Sequence, residues 1–524
     1  MTRMTGGQAL VRSMQLEGIR VVFGIPGAGQ YEVVDALWDT PDIQYVSVRH
    51  EQAATYMADG YARAGGGIAG AITVPGPGIL NALSGIATAD DLSSPMLVIT
   101  GDGLFRDDDG TDEAAWLRPL ARWTARVDRP AQVPEAVQEA MKRIKTGRPG
   151  PVLLQVPWAT LANTEEVELL EPKEYRPLPA NPELVRRAAR LLQDSAAPVI
   201  WAGGGVHTSD ASDALVAVAE HLQAPVVTTA NGKGAISDRH PLSLGLAELR
   251  YQPLLEWFNG RDVVLAVGTR TGFDSRPDGQ TLVRVDVDGV RSPVVGGHDI
   301  GITGDARATL RALLHAMQEG AIRPDSAADE VKAHLDERFA AHNQLEPQRS
   351  LINAIRESVP EDGIVVQDMN QIGYYSRNYL PVYASRTYLT ASHHGTLGHA
   401  LPVGIGAKIA RPDRAVVVLS GDGGFLYNSQ ELATAVQYGV RVVAIVFNDD
   451  AYGNVLRAQI EQFDGHVLGT RLHNPDFAAL ARSYGARGVK AEGAAELKTA
   501  LDEAITVDAT TVIEVPLGSL DRVF

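Results

Sequence analysis

Short apolar runs rich in β-branched residues recur along the whole chain, and each gives way to a helical stretch. In the first third they are Val21–Phe23, Gln44–Val48, Ile68–Thr73 and Pro95–Thr100. The middle third repeats the style in Pro198–Gly205, Pro225–Thr229 and Asp262–Gly268. The last third does so in Gly363–Asp368, Arg414–Ser420, Arg441–Phe447 and Thr510–Val515. Strands that alternate with helices are repeated βα units, which build parallel sheets with helices on their faces. The fold class is therefore α/β. A chain of 524 residues is too long for one ordinary core and suits about three domains. Two polar stretches interrupt the pattern: Thr164–Glu183, rich in Glu and Pro, and the charged segment Arg323–Arg349. The outer thirds share one plan, an apolar strand ending in glycine, then a helix, then another strand.

Composition narrows the function. A formal net charge of -17 argues against a nucleic-acid backbone or an anionic membrane as the main partner. With no cysteine in the chain, disulfides, thiolate zinc sites and a cysteine nucleophile are excluded. The opening MTRMTGGQALVRSMQLEG has no unbroken apolar core of a signal peptide, and no apolar run is long enough to span a bilayer. The expected location is cytoplasmic.

One segment, RAVVVLSGDGGFLYNSQELATAVQYGVRVVAIVFNDDAYG, carries most of the chemistry. A buried strand ends at Gly421-Asp422-Gly423-Gly424, where glycines permit positive φ and close approach to a ligand. Asn428 followed by Glu431 has the spacing of a helix-capping box. The next strand ends at Asn448-Asp449-Asp450, and parallel strands put Asp422 and Asp449 at the same carboxyl edge. Mg2+ takes a few hard oxygen ligands and shares its shell with phosphate oxygens, which two such carboxylates would suit. The simpler reading is two unrelated loop aspartates. A second GDG, Gly101-Asp102-Gly103, shows how weak that tripeptide is alone: the residue 27 positions after Asp102 is Arg129, whereas Asp449 stands 27 positions after Asp422.

This segment resembles the diphosphate-and-metal motif of thiamine-diphosphate enzymes, in which GDG is followed by a helix, an apolar strand and a paired NN or ND. The resemblance implies that Asp422 and Asp449 give side-chain oxygens to Mg2+ and Ala451 its carbonyl, with Gly421, Gly423, Gly424, Tyr452 and Gly453 around the diphosphate. Asp449 departs from the more usual Asn, a charge that should tighten Mg2+ and repel phosphate. VSVRHEQAATYMADGYARAGG is similar to the acetolactate-synthase and benzoylformate-decarboxylase type. It implies that Glu51 is the carboxyl group that supports the imino tautomer of the cofactor's aminopyrimidine, a task calling for a raised pKa. Taken alone, Glu51 is a helix-start glutamate favoured by the dipole. GIPGAG, with Pro26 and Gly27, and TVPGPGILNA, with Gly76 and Asn81, match the family's glycine turns. SHHGTLGHALPVGIGAK resembles the pyrimidine-holding segment, with Gly395 as carbonyl acceptor and Leu397 as the apolar wedge, and QDMNQ offers Asn370 and Gln371 near the diphosphate. The implied architecture is three Rossmann-like domains: pyrimidine-binding 1–165, central 183–320 and diphosphate-binding 345–524. It also implies a homodimer or homotetramer in which Glu51 of one subunit faces Asp422 of another.

The implied reaction starts from a 2-oxo acid and ends in one of two ways. Joining the fragment to a second carbonyl is acetolactate-synthase chemistry; releasing an aldehyde is that of a decarboxylase or lyase. Val74 stands where benzoylformate decarboxylases carry a proton-relay histidine, which favours the synthase. Ala458, where synthases carry a tryptophan, and the short DEAAWLRPLARW stretch favour the decarboxylase. A cofactor-binding paralogue without catalysis is the reading from another class, and the intact Glu51 opposes it. Adjacent His393 and His394 are candidate proton donors, though single histidines are more often structural. Asn454 and Arg457 could meet a substrate carboxylate, Arg457 being otherwise a solvated helix charge. Gly203-Gly204-Gly205 and Arg270 match part of a FAD site, but GGGVHT lacks the full GxGxxG fingerprint and AELRYQ replaces the expected loop, so FAD is not expected.

Overall fold

The computed structural model describes residues 1–102, 117–270, 277, 279–289, 298–318, 326–342, 344–391, 394–518 and 520. Its contacts divide the chain into two compact units. One comprises Met1–Tyr175, Ile364–Asn370 and Ala391–Gly518; the other comprises Arg176–Gly363 with Gln371–Thr390.

The N-terminal part opens with β1 (Thr2–Thr5), then carries β2 (Val21–Gly24), β3 (Gln44–Ser47), β4 (Ala69–Thr73), β5 (Met96–Thr100), β6 (Trp123–Arg126), β7 (Pro151–Gln155) and β8 (Thr164–Val167). Six of these form a parallel sheet in the order β3-β2-β4-β5-β7-β6. The polar Thr164–Glu183 stretch contains a strand, since β8 pairs antiparallel with β1.

The middle part carries β9 (Pro198–Ala202), β10 (Val226–Thr228), β11 (Ser243–Leu246), β12 (Val263–Val267), β13 (Thr281–Asp286) and β14 (Ile300–Thr303). Their order, β11-β10-β9-β12-β13-β14, is the doubly wound nucleotide-binding order.

The C-terminal part carries β15 (Ile364–Gln367), β16 (Tyr388–Thr390), β17 (Val416–Gly421), β18 (Val443–Asn448), β19 (Arg487–Lys490) and β20 (Thr511–Pro516), ordered β16-β15-β17-β18-β20-β19. Relabelled by chain order, this is the same winding as the first sheet. The shared plan of the outer thirds is thus a shared topology. The continuous apolar runs are explained by burial on both faces: β5, β7 and β12 are buried at every position.

Two helices join the outer thirds inside the first unit. Glu51–Tyr61 packs along Ala400–Ala410, and glycines set their spacing. A Cβ on Gly60 would lie 2.1 Å from the Val403 carbonyl oxygen, and one on Gly406 would lie 2.0 Å from that of Met57. The backbones touch directly, where any side chain would force them apart.

Candidate active site

In an open α/β sheet, ligands bind at the carboxyl ends of strands, where the winding reverses. In the C-terminal sheet that point lies between β15 and β17, and it gathers Asp368, Asn370, Gly421 and Asp422. Gly421 pairs with Phe447 across β17 and β18, so Asp422 and Asn448 leave neighbouring strand ends side by side. Gly421, Gly423 and Gly424 are not in the left-handed region, so the expectation of positive φ is corrected. They are needed for close approach. A Cβ on Gly423 would lie 2.5 Å from the Tyr452 ring, one on Gly424 3.0 Å from Asp368 Oδ2, and one on Gly421 3.1 Å from Asn370 Cβ.

Asp422 is buried and its carboxylate is held at both oxygens. Oδ1 accepts from Gly423 N–H at 2.8 Å, and Oδ2 accepts from Ala451 N–H at 3.2 Å and from Asn474 Nδ2 at 2.7 Å. The Ala451 amide thus contacts Asp422, which leaves its carbonyl free of that bond. Asp449 lies beside this carboxylate. Burial, then the Asp422 charge, pushes its carboxyl up to about 6, and burial raises that of Asp422 as well. A Cβ on Gly453 would lie 2.4 Å from Asp449 Oδ2, so this glycine makes room for the second carboxylate. Asp450 takes a φ of 51°, a left-handed turn that Asp tolerates.

Sequence reasoning missed Asn474. Its Nδ2 donates to Asp422 Oδ2, to Asn448 Oδ1 at 2.9 Å and to Asp450 Oδ1 at 3.2 Å. One amide thus ties both strand ends together from 52 residues away. Only the NPDF turn could have hinted at it. Asp368 was also missed. It is buried and accepts from Met369 N–H at 2.8 Å and Gly398 N–H at 3.2 Å.

The facing wall comes from the first sheet. Glu51 opens Glu51–Tyr61, with His50 as N-cap accepting from Gln52 N–H. Glu51 is half-buried, and its Oε2 accepts from Asn81 Nδ2 at 3.0 Å. Gly76 turns the chain at a φ of 69° and caps Pro77–Leu92. Val74 fills the space between Gly27 and Gly78, 2.6 Å from a Cβ on either. Pro26 is exposed in the same turn as Gly27.

The walls meet within one chain. Tyr56 OH lies 2.8 Å from Thr396 Oγ1, and Asn428 Nδ2 donates to Gly398 O at 2.8 Å and to Gln52 Oε1 at 3.3 Å. One expectation is corrected here. Asn428 is not an N-cap: Gln430 precedes Glu431–Gln437 without a side-chain cap, and the Asn428 amide is spent on Gly398 and Gln52.

Between these walls Gly395, exposed, turns at a φ of 74°, and Leu397 is half-buried on the same loop. His394 is exposed; His393 lies outside the described residues. Asn370 Nδ2 donates to Leu419 O at 3.1 Å. Gln371 opens Gln371–Tyr379 in the other unit. Asn454 and Arg457 lie on Gly453–Gln462, a helix with no fully buried residue. In the central domain, Gly203 and Gly205 have a packing reason of their own, since Cβ atoms there would meet Gly268 at 2.2 and 2.6 Å.

The donor set fits a divalent cation shared with a diphosphate. A buried carboxylate, Asp422, and a half-buried one, Asp449, repel each other and pay for desolvation, which a cation would relieve. Among the described residues no three His, Cys, Asp or Glu side chains gather to hold a metal. The remaining ligands would be amide or backbone oxygens, water or the oxygens of a diphosphate.

Three protein-family models match along the chain. They are the thiamine pyrophosphate enzyme N-terminal TPP binding domain at residues 4–117, the central domain at 185–313 and the C-terminal TPP binding domain at 368–515. The chain belongs to the thiamine pyrophosphate enzymes, and it is an enzyme of carbon–carbon bond chemistry dependent on that cofactor. It is similar to a probable acetolactate synthase large subunit of Methanocaldococcus jannaschii, 32% identical over 98% of this chain and 92% of the relative. It is also similar to acetolactate synthase isozyme 3 large subunit of Escherichia coli, 31% identical over 96% and 93%. A probable 2-ketoarginine decarboxylase of Pseudomonas aeruginosa is 35% identical over 98% and 94%. Among the described residues no helix is long and apolar enough to cross a membrane.

Proposed function

We propose that the chain decarboxylates a 2-oxo acid and joins the remaining fragment to a second carbonyl, as an acetolactate-synthase-like carboligase using thiamine diphosphate and Mg2+. The observation that carries the reading is the Asp422–Asp449 carboxylate pair at adjoining carboxyl ends of the C-terminal sheet, with Asn474 holding Asp422. When bound, the cofactor's thiazolium supplies an electron sink while CO2 leaves. Asp422 and Asp449 hold Mg2+, with Asn474 fixing Asp422. Glu51 shares a proton with the pyrimidine ring, and Gly395 and Leu397 seat that ring. Val74 favours carboligation, because an apolar side chain wedged between Gly27 and Gly78 offers no proton at that turn. The relative named as a 2-ketoarginine decarboxylase favours a second reading, decarboxylation of a 2-oxo acid with a cationic side chain. FAD is left out, since the Gly203–Gly205 run is explained by packing. We further propose domain borders at 1–165, 183–320 and 345–524, a cytoplasmic homodimer or homotetramer with its sites between subunits, and small 2-oxo acids, aldehydes or ketones as substrates, with no nucleic-acid or membrane partner.

The test is to incubate the protein with cofactor, Mg2+ and a panel of 2-oxo acids, pyruvate and a guanidino 2-oxo acid included. CO2, aldehyde and 2-hydroxyketone are then measured together. Aldehyde equal to CO2 on every substrate would overturn carboligation. Glu51→Gln should bind cofactor yet lose hydrogen–deuterium exchange at its C2; unchanged exchange would remove Glu51 from the mechanism.

A further inference from the structure

The β3 strand lies at the edge of the first sheet and leads directly into Glu51. Val48 N–H is spent inside the sheet on Gly24 O. The outward N–H groups of Ser47 and Arg49 would otherwise lack partners, which is the usual liability of an edge. Both are taken by one segment of the C-terminal domain. Glu431 is fully buried, and its two oxygens accept from Arg49 N–H at 3.0 and 3.2 Å. Thr434 Oγ1 donates to Glu431 Oε2 at 2.6 Å and fixes the carboxylate. The His50 N–H also faces this carboxylate. Further along, Gln437 Oε1 accepts from the Arg49 guanidinium at 2.5 Å, and Tyr438 OH accepts from Ser47 N–H at 2.8 Å.

A neutral side chain could cap an edge N–H at little cost. Tyr438 does so at Ser47. At the last peptides before Glu51 the chain instead buries a carboxyl group, and burial pushes it up to about 7. Its two oxygens both reach the Arg49 N–H and the carboxyl also faces the His50 N–H, whereas a hydroxyl such as that of Tyr438 holds a single peptide. The cost falls where rigidity matters most, because an acid that must meet one ring nitrogen needs placement to within about 0.5 Å.

We propose that Glu431 is a positioning residue for Glu51, clamping the Arg49–His50 peptides so that the Glu51 carboxyl is held at the cofactor. This rests on the reading of Glu51 as the group that serves the pyrimidine. Glu431 itself touches neither substrate nor cofactor. It acts through the turn, and the clamp makes the C-terminal domain responsible for where the N-terminal acid points.

The test compares Glu431→Ala, Glu431→Gln, Thr434→Val and Tyr438→Phe with the parent. The first readout is hydrogen–deuterium exchange at C2 of saturating thiamine diphosphate. The second, in cofactor-free protein, is amide exchange of a peptide spanning Ser47–Tyr56. Glu431→Ala should slow C2 exchange about 10- to 100-fold, the order expected of a misplaced catalytic group, with cofactor affinity within about threefold. It should also lose protection at Arg49 and His50. Glu431→Gln, which keeps one acceptor, should fall between. Thr434→Val, the variant to read if Glu431→Ala does not fold, should slow C2 exchange severalfold. Tyr438→Phe should lower the melting temperature and leave C2 exchange alone. C2 exchange within about twofold of the parent in Glu431→Ala, or in Thr434→Val where only that variant folds, would reduce Glu431 to an edge cap and overturn the proposal. Unchanged exchange in Glu51→Gln would instead overturn the reading beneath it, so the two failures are distinguishable.

Discussion

Asp449→Asn isolates the cost of the second carboxylate. The Asp449 carboxyl rises from 3.8 to about 6, first through burial and then through Asp422. At about 1.4 kcal/mol per unit, that is roughly 3 kcal/mol. Asp449 is half-buried, and solvent screening reduces the figure to about 1–2 kcal/mol. The folded-state value lies above the unfolded one, so stability is present below pH 3.8 and lost as pH rises through about 6. In chelator at pH 8, Asp449→Asn should therefore be about 1–2 kcal/mol more stable than the parent. The gain should shrink toward pH 4. With Mg2+ and cofactor present the order should reverse, because a neutral amide holds a dication less well and the parent gains more from binding. Calorimetric melts from pH 5 to 8, with and without Mg2+, check this. A variant less stable than the parent in chelator, or a difference that ignores pH, would refute the picture of two carboxylates held in repulsion.

Gly453→Ala places a methyl group 2.4 Å from Asp449 Oδ2. The carboxylate should swing away, costing about 10- to 100-fold in Mg2+ affinity by calorimetric titration with little loss of stability. Asn474→Ala removes the donor shared by Asp422, Asn448 and Asp450. It should cost about 1–3 kcal/mol in urea unfolding and a similar factor in Mg2+ affinity. Gly60→Ala meets a backbone carbonyl oxygen at 2.1 Å, which cannot move aside as a side chain can. A loss of about 1–3 kcal/mol or more is expected, read from the melting temperature.

The central strands were legible because they are buried on both faces. β17 and β18 run as unbroken apolar stretches, and their parallel pairing puts Asp422 and Asp449 at one edge, as the spacing implied. The edge strand β3 was legible as Gln44–Val48, but three peripheral strands were not. β6 is WTAR, β8 is TEEV and β19 is RGVK, short and partly exposed, with no apolar run to mark them. Asn428 and Glu431 show the same limit in the site. Their spacing is that of a local cap, yet each partner lies in a distant segment, Gly398 and Gln52 for one, Arg49 for the other. Local patterns report local bonds. A residue recruited by a turn hundreds of positions away looks like an ordinary helix start until the two are brought together. Asn474 escaped in the same way over a shorter span, its partners lying 24 to 52 positions back.

The glycine-on-carbonyl contacts between Glu51–Tyr61 and Ala400–Ala410 have a consequence for how such a catalyst could diversify. Interlocking side chains can be exchanged for larger or smaller ones, and the gap they span adjusts. Here two main chains abut, so the gauge of the cleft has no dial. New substrate preferences would have to arise in segments outside this contact, such as the helix bearing Asn454 and Arg457, which has no buried residue, while the spacing of the two helices stays inherited.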